Sequence, residues 1–329
     1  MEKKVFFVLA GLLCLLSCDN QKESRIVIDG TVANVEAEKV YLQKFEEKLF
    51  FVIDSADVID GRFRFSTTAS LPEIYGLTVN PQRGQLMLFL DADPVQVTLD
   101  PSEGYSNSKV TGSTEQDLYA YYLSQEDIVI EDFIRAHPQS LAATYVLYRN
   151  FSYRLTPEEI QANIQLLDSS LWKTPYVKTL NALVETLLSV APGKPAPDFT
   201  ADDPEGRPVS LSSRLGNGYV LLDFWASWCP PCRQENPHLV ALYNEYKNKG
   251  FDILSVSLDR TKDAWLKGIA DDNLTWTHVS DLKYWHSAPA ALYGVRAIPS
   301  NFLIDRDGVI VAKNLDGNEL DEKLGELFK

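Results

Sequence analysis

Cysteine is scarce in this chain: there are four in 329 residues, with none between Cys18 and Cys229. So few thiols, so placed, exclude a scaffold of structural disulfides. Positive charge is also in short supply, with 31 Lys and Arg against 46 Asp and Glu. The resulting net charge of −15 repels nucleic acid and supplies no polybasic patch for a membrane surface. The apolar run Val5 to Leu16 spans 12 residues, where a membrane-crossing helix needs about 20. What remains is ordinary globular material, 45% apolar and 23% charged, which rules out a disordered chain and an all-membrane protein. At roughly 150 residues per domain, the length suits about two domains.

The N-terminus reads as an address. Lys3 and Lys4 precede the short apolar run, which is a signal-peptide profile. The run closes with Leu15-Leu16-Ser17-Cys18, which resembles a bacterial lipobox. That resemblance implies a signal peptide over 1–17, Cys14 discarded with it, and Cys18 diacylated as the mature N-terminus. Residues 18–24 follow as a polar tether. The expected location is the cell envelope, lipid-anchored and facing the periplasm.

Residues 25–112 alternate in strand fashion, as in Ile26-Val27-Ile28, Leu86 to Leu90 and Val95 to Leu99, with turn signals at Asp60-Gly61, Asn80-Pro81 and Asp93-Pro94. An antiparallel β-rich domain, sandwich or barrel, is expected there. Residues 113–190 turn helical: Leu118, Tyr121, Tyr122 and Gln125 keep helical spacing, and Thr156-Pro157-Glu158-Glu159 caps a helix with proline at its first position. Leu141 to Phe151 and Tyr176 to Leu188 are two further amphipathic runs. The prolines of Ala191 to Pro197 forbid a helix and read as a linker and domain boundary. From 192 to 329, strand and helix signals alternate, so the expected fold is α/β, a mixed sheet flanked by helices.

Tyr219 to Ala226 is a strand of buried type, and after it comes Trp228-Cys229-Pro230-Pro231-Cys232 at the start of a helix running to about Asn248. A sulfur at a helix N-terminus meets unpaired N–H groups and the positive end of the dipole, which lowers a thiol pKa from about 8.5 toward roughly 3.5 to 7.5. Cys229 is therefore the expected nucleophile. Cys232, one turn on, is expected to resolve the mixed disulfide, while Pro230 and Pro231 stiffen the loop and remove donors. A structural zinc site needs four ligands, yet there is no second cysteine pair, and His137, His238, His278 and His286 are scattered. His238, in the same helix as the pair, is expected to cap it or face solvent. No metal and no cofactor are expected. An inert structural disulfide is disfavoured because so short a loop constrains the unfolded chain little.

Val220 to Cys232 resembles the active-site strand and loop of thioredoxin-fold proteins, and Arg233 to Pro237 is similar to the helix that follows in the TlpA/ResA-like branch. Gly193 to Phe199 resembles the opening segment of that branch and of its peroxiredoxin cousins. Ala297-Ile298-Pro299-Ser300 matches the cis-proline loop. The resemblance covers about residues 192–329. It implies a thiol-disulfide oxidoreductase, with Asp223 as the buried acid exchanging protons with the resolving thiol and Glu235 as a second acid near the cysteines. Ile298 and Pro299 would dock an extended partner segment by main-chain pairing, with Trp228, Pro230 and Pro231 beside it. Residues 25–190 resemble, more loosely, the β-rich domains of unassigned function that precede such domains in bacterial lipoproteins.

The expected activity is disulfide exchange with cysteine-containing exported proteins, in the reducing direction implied by the TlpA/ResA-like branch, as in cytochrome c maturation. An upstream membrane electron donor would recharge the pair. Peroxidase activity is the alternative within redox chemistry, but Ala226 stands where a peroxiredoxin has threonine. From another class, the chain could be chiefly a partner-binding lipoprotein whose redox chemistry is secondary.

Overall fold

The computed structural model describes residues 23–46, 49–70, 73–91 and 94–329. The signal segment 1–17, Cys18, the start of the tether and Asp93 lie outside the described residues. Two compact units divide at Asp117, and the second takes the whole of Leu118 to Lys329.

The first unit is built from β1 (Glu23–Val32), β2 (Lys39–Glu46), β3 (Leu49–Asp57), β4 (Arg62–Ser70), β5 (Glu73–Thr78), β6 (Leu86–Leu90), β7 (Val95–Leu99) and β8 (Lys109–Thr111). They form two four-stranded sheets, β4-β1-β7-β8 and β3-β2-β5-β6. Alternation does the work expected of it. Ile26, Ile28, Phe63, Phe65, Val95, Val97 and Leu99 of one sheet share a core with Val40, Leu42, Tyr75, Leu77, Leu88 and Leu90 of the other. Asp60 and Gly61, both at positive φ, close the β3 to β4 turn, with Ile59 and Arg62 exchanging two backbone hydrogen bonds. Two details differ from the sequence reading. β1 begins at Glu23, paired with Ser70, so strand replaces the end of the expected tether. Its other neighbour β7 runs parallel to it, a pairing that local alternation cannot reveal.

Five helices follow, α1 (Thr114–Leu123), α2 (Ile130–Ala136), α3 (Leu141–Val146), α4 (Pro157–Leu166) and α5 (Pro175–Ser189). Thr156 and Glu159 form the reciprocal capping box of α4. The expected stripe on α1 does not form: none of its residues is buried, Tyr121 faces solvent, and Gln125 lies past its end. The run Leu141 to Phe151 also changes character midway, because α3 gives way to a π-turn over Leu147–Phe151.

The remaining chain makes a β9 (Thr200–Asp202) and β10 (Pro208–Ser210) hairpin, then β11 (Tyr219–Trp225), α6 (Pro230–Tyr246), β12 (Phe251–Ser257), α7 (Lys262–Asp271), β13 (Thr277–Val279), α8 (Ala288–Leu292), β14 (Ser300–Ile304), β15 (Ile310–Lys313) and α9 (Gly317–Leu327). The five-stranded sheet has the order β13-β12-β11-β14-β15. β11, β12 and β13 are parallel, whereas β14 and β15 are antiparallel to their neighbours. β11 is central and almost wholly buried, which explains why it is apolar throughout except at Asp223. The proline-rich segment read as a linker is docked: Gly193 N–H donates to Ile310 O, Ala196 N–H to Gly308 O, and Ile310 N–H to Lys194 O. Prolines without donors leave the intervening N–H groups to pair with β15 and its turn, so the helices before them belong to the same compact unit as the sheet.

Candidate active site

The site sits where β11 stops. The chain leaves the sheet at Ala226, and Asp259, buried at the end of β12, captures the loop: it accepts Ser227 N–H at 3.0 Å, Ser227 Oγ–H at 2.6 Å and Ser257 Oγ–H at 2.7 Å. Cys229 then serves as the N-cap of α6, whose first two positions are Pro230 and Pro231. Neither proline has an N–H to offer, so the first donor of the helix is Cys232, whose N–H lies 3.2 Å from Cys229 Sγ. Arg233 fixes the turn from the other side, donating to Ser227 O at 3.1 Å and to both oxygens of Asp272, while Asn236 also donates to Asp272.

Cys229 and Cys232 form a disulfide. Both are almost fully buried, at 3% and 1% exposure, although Pro230 and Pro231 are exposed and Trp228 is 40% exposed. The Ile298–Pro299 peptide is cis, and Ile298 O lies 3.7 Å from Cys229 Sγ.

Asp223 lies within the central strand, and burial pushes its carboxyl up to about 7. The hydroxyl of Ser255, its register partner on β12, donates to Asp223 Oδ2 at 2.8 Å and opposes that rise, while the negative charge of Glu235 adds to it. The same hydroxyl accepts the indole N–H of Trp276 at 2.8 Å. Glu235, half-buried on α6, is itself held above the usual carboxylate range, first by burial and then by the charge of Asp316, with His238 opposing. His238 neither caps nor faces solvent: it is half-buried, with Nε2 2.8 Å from Gly317 O. His278 is buried against Trp225 and Trp276, neither ring nitrogen has a hydrogen-bond partner, and burial lowers its pKa to about 3.

Of the expected residues, Cys229, Cys232 and Ile298 meet at the loop, with Pro299 next in the chain, and Asp223 is coupled electrically to Glu235. Asp259, Ser255 and Arg296 escaped notice in the sequence. A carboxylate closing an apolar strand was a usable signal for Asp259. Ser255 and Arg296 had none, because strand register and packing between distant segments decide their surroundings. Arg296 lies with its guanidinium 4.4 Å from the Tyr148 ring centre and donates to Tyr148 O at 3.1 Å. A Cβ on nearby Gly294 would meet Leu183, Thr186 and Leu187 of α5 at 3.2–3.3 Å. The α-helical segment thus packs on the stretch leading into the cis-proline loop.

A mixed sheet, a redox cysteine pair at a helix start and an adjacent cis-proline define a thioredoxin-like domain. The AhpC/TSA family model matches residues 192–313, and the model of a domain of unknown function, DUF4369, matches residues 26–119. Thiol-disulfide oxidoreductase ResA of Bacillus thuringiensis subsp. konkukian is 36% identical over 146 residues, covering 42% of this chain and 76% of that protein. Among solved structures, the thioredoxin domain of a thiol-disulfide oxidoreductase from Bacteroides vulgatus is 38% identical, covering 43% of this chain and all of that one, with a TM-score of 0.40. A thiol-disulfide oxidoreductase from Bacteroides fragilis is 40% identical over 41% of this chain and 99% of its own, with a TM-score of 0.39. The chain belongs to the ResA-type thiol-disulfide oxidoreductases.

Proposed function

We propose that the chain is an exported, lipid-anchored reductase of protein disulfides, in which Cys229 attacks and Cys232 resolves. The Cys229 thiolate attacks one sulfur of a partner disulfide, forming a mixed disulfide and expelling the other partner sulfur as a thiolate. Asp223 takes the Cys232 proton, the Cys232 thiolate attacks Cys229, and the partner's first sulfur leaves. The partner gains two electrons and two protons, and the enzyme ends with the Cys229–Cys232 bond, to be recharged by a dithiol donor at the membrane. Ile298 and Pro299 receive the partner chain, with Trp228, Pro230 and Pro231 forming the exposed rim.

The reducing direction is carried by the poverty of thiolate stabilisation. Two of the first three helical positions lack an N–H, so that of Cys232 is the first the helix offers to Cys229 Sγ, and both sulfurs are out of water. Both features limit stabilisation of the thiolate against the neutral disulfide, which lowers the reduction potential. Equilibration with glutathione tests this. A potential below the cytosolic glutathione poise of about −220 to −260 mV is expected, and one above the about −180 mV of a disulfide isomerase overturns the direction. Turnover of insulin or a cysteine peptide should vanish in Cys229→Ser, and persistent turnover would sink the mechanism. Export and anchoring rest on Lys3 to Cys18. Metabolic labelling with a radioactive fatty acid should mark the chain and lose the mark in Cys18→Ser. Partners are exported proteins with cysteine pairs, including those of cytochrome c maturation.

A further inference from the structure

Three loops converge at the C-terminal ends of β11, β12 and β13, and each carries part of one surface. Trp228 comes from the first, Arg260 from the second, and Tyr284 and Trp285 from the third. Because these strands are parallel, their C-terminal ends lie along one sheet edge. β14 runs the other way, with Ser300 paired to Phe224, so the cis-proline loop that precedes it opens on the same edge. Cys229 therefore has Ile298 and Pro299 on one flank and the aromatic group on the other.

The aromatic group is continuous. The Trp228 ring centre lies 5.1 Å from Tyr284 and 6.0 Å from Trp285, which are 5.9 Å from each other. The Arg260 guanidinium lies over the Tyr284 ring, 4.0 Å from its centre. Such rings ordinarily go into a core, and the more exposed Trp228 is next to the reacting sulfur. The loop that carries the other two is fixed in advance. Asp281 accepts the backbone N–H groups of Lys283 and Ala288 at 3.1 and 2.8 Å, and Ser280 Oγ accepts that of Leu282 at 3.1 Å. Leu282 and Tyr284 are held at φ 54° and 55°, a left-handed conformation that is strained for residues with a Cβ. Backbone held against such strain is characteristic of sites where placement matters.

Arg260 states the charge of the partner. It is exposed, and among the described residues its contact is the Tyr284 face rather than any carboxylate. Lys283, also exposed, adds a second cation on the aromatic loop. Stacking uses the guanidinium face and leaves its N–H edge to receive a carboxylate in bidentate fashion.

We propose that Trp228, Tyr284, Trp285 and Arg260 form a docking surface for an extended, acidic partner segment in which a bulky apolar residue and an Asp or Glu flank the cysteine under attack. The proposal rests on the reading of Cys229 as the nucleophile and adds the chemistry of the substrate to it. The apolar residue lies on the indoles, the carboxylate pairs with Arg260, and the main chain reaches Ile298.

Stopped-flow reaction of the reduced full chain with quenched-fluorescence peptide disulfides tests this. The peptides differ only beside the cysteine, as Glu-Phe, Lys-Phe or Glu-Ala. The Glu-Phe peptide should react about fivefold faster than the Lys-Phe peptide, the scale of an exposed ion pair, and Arg260→Glu should invert that order. Trp285→Ala should abolish the preference for Phe over Ala. Equal rates for the acidic and basic peptides, or a preference that Arg260→Glu leaves unchanged, overturn the surface. Bis(2-hydroxyethyl) disulfide, small and uncharged, separates the two readings: its reduction without discrimination among the peptides overturns the docking surface alone, and its failure to react overturns both.

Discussion

Ser255 donates a 2.8 Å hydrogen bond to Asp223 from the neighbouring strand, and it does so with its own lone pair occupied by Trp276. The bond favours the charged carboxylate, whereas burial and Glu235 favour the protonated acid. Removing it in Ser255→Ala should raise the pH at which resolution by Cys232 reaches half its maximum. A hydrogen bond to a charged group is worth roughly 1.5–3 kcal/mol and one pH unit about 1.4 kcal/mol, so the midpoint should move up by about one unit or more. Ser255→Thr, which keeps the hydroxyl, should restore it. A single-turnover pH profile unchanged in Ser255→Ala would remove Ser255 from the mechanism.

Glu235 acts on the same carboxyl through its charge. Glu235→Gln removes a negative neighbour, so the profile should move down in pH, opposite to Ser255→Ala. The two variants moving in the same direction would contradict Asp223 as the titrating base.

Asp223 and His278 shape stability with opposite signs. Asp223 keeps its proton to about pH 7 when folded but only to about its ordinary 3.8 when unfolded, so between those values the folded state holds more protons and stability falls as pH rises. His278 stays neutral down to about pH 3 when folded, against 6.5 when unfolded, so stability rises with pH over that window. From about pH 4 to 6.5 the two slopes, each about 1.4 kcal/mol per unit, cancel. Denaturant titration of the oxidised protein should show Asp223→Asn gaining on the wild type by about that slope, to about 4 kcal/mol above pH 7. Parallel curves would refute the buried, protonated Asp223.

Residues whose surroundings are local could be read from the sequence. Asp60-Gly61 closes a hairpin, Thr156 caps α4, and Cys229 starts α6 because each depends on a few neighbouring residues. The β1 to β7 pairing joins segments far apart in the chain, so alternation showed both strands and not their direction. The proline segment was legible as non-helical, but its bonds to Gly308 and Ile310 depend on a turn over a hundred residues later. Tyr284 and Trp285 were invisible as a site because only the fold carries them to Trp228.

Asp259 is the anchor of the redox loop, holding one N–H and two hydroxyls with a fully buried carboxylate. Asp259→Ala leaves the buried Ser257 hydroxyl and the half-buried Ser227 donors without their acceptor, and at about 1–3 kcal/mol for a buried group the variant should lose roughly that much stability. Asp259→Asn retains an acceptor and should lose less. Equal stability of the alanine variant and the wild type in urea would show that the loop holds itself.

Arg296 connects the helical segment to the stretch before the cis-proline loop. It stands two residues before Ile298, whose carbonyl lies beside Cys229, and it is tied to the ring and the carbonyl of Tyr148 in the π-turn after α3. Gly294, at φ 66° with α5 side chains 3.2–3.3 Å from where a Cβ would stand, presses the same stretch from a second helix. These helices therefore pack on the stretch that leads into the cis-proline loop, the segment proposed to pair with the partner chain. Arg296→Ala gives up a cation–π contact and a hydrogen bond, together about 1–3 kcal/mol. The expected signature is a KM for peptide disulfides raised about tenfold with kcat changed much less, and Arg296→Lys should recover only part of it because a lysine lacks the planar fork. An equal fall in kcat for peptides and for bis(2-hydroxyethyl) disulfide would instead assign Arg296 to general stability, and would leave the helical segment without a part in docking.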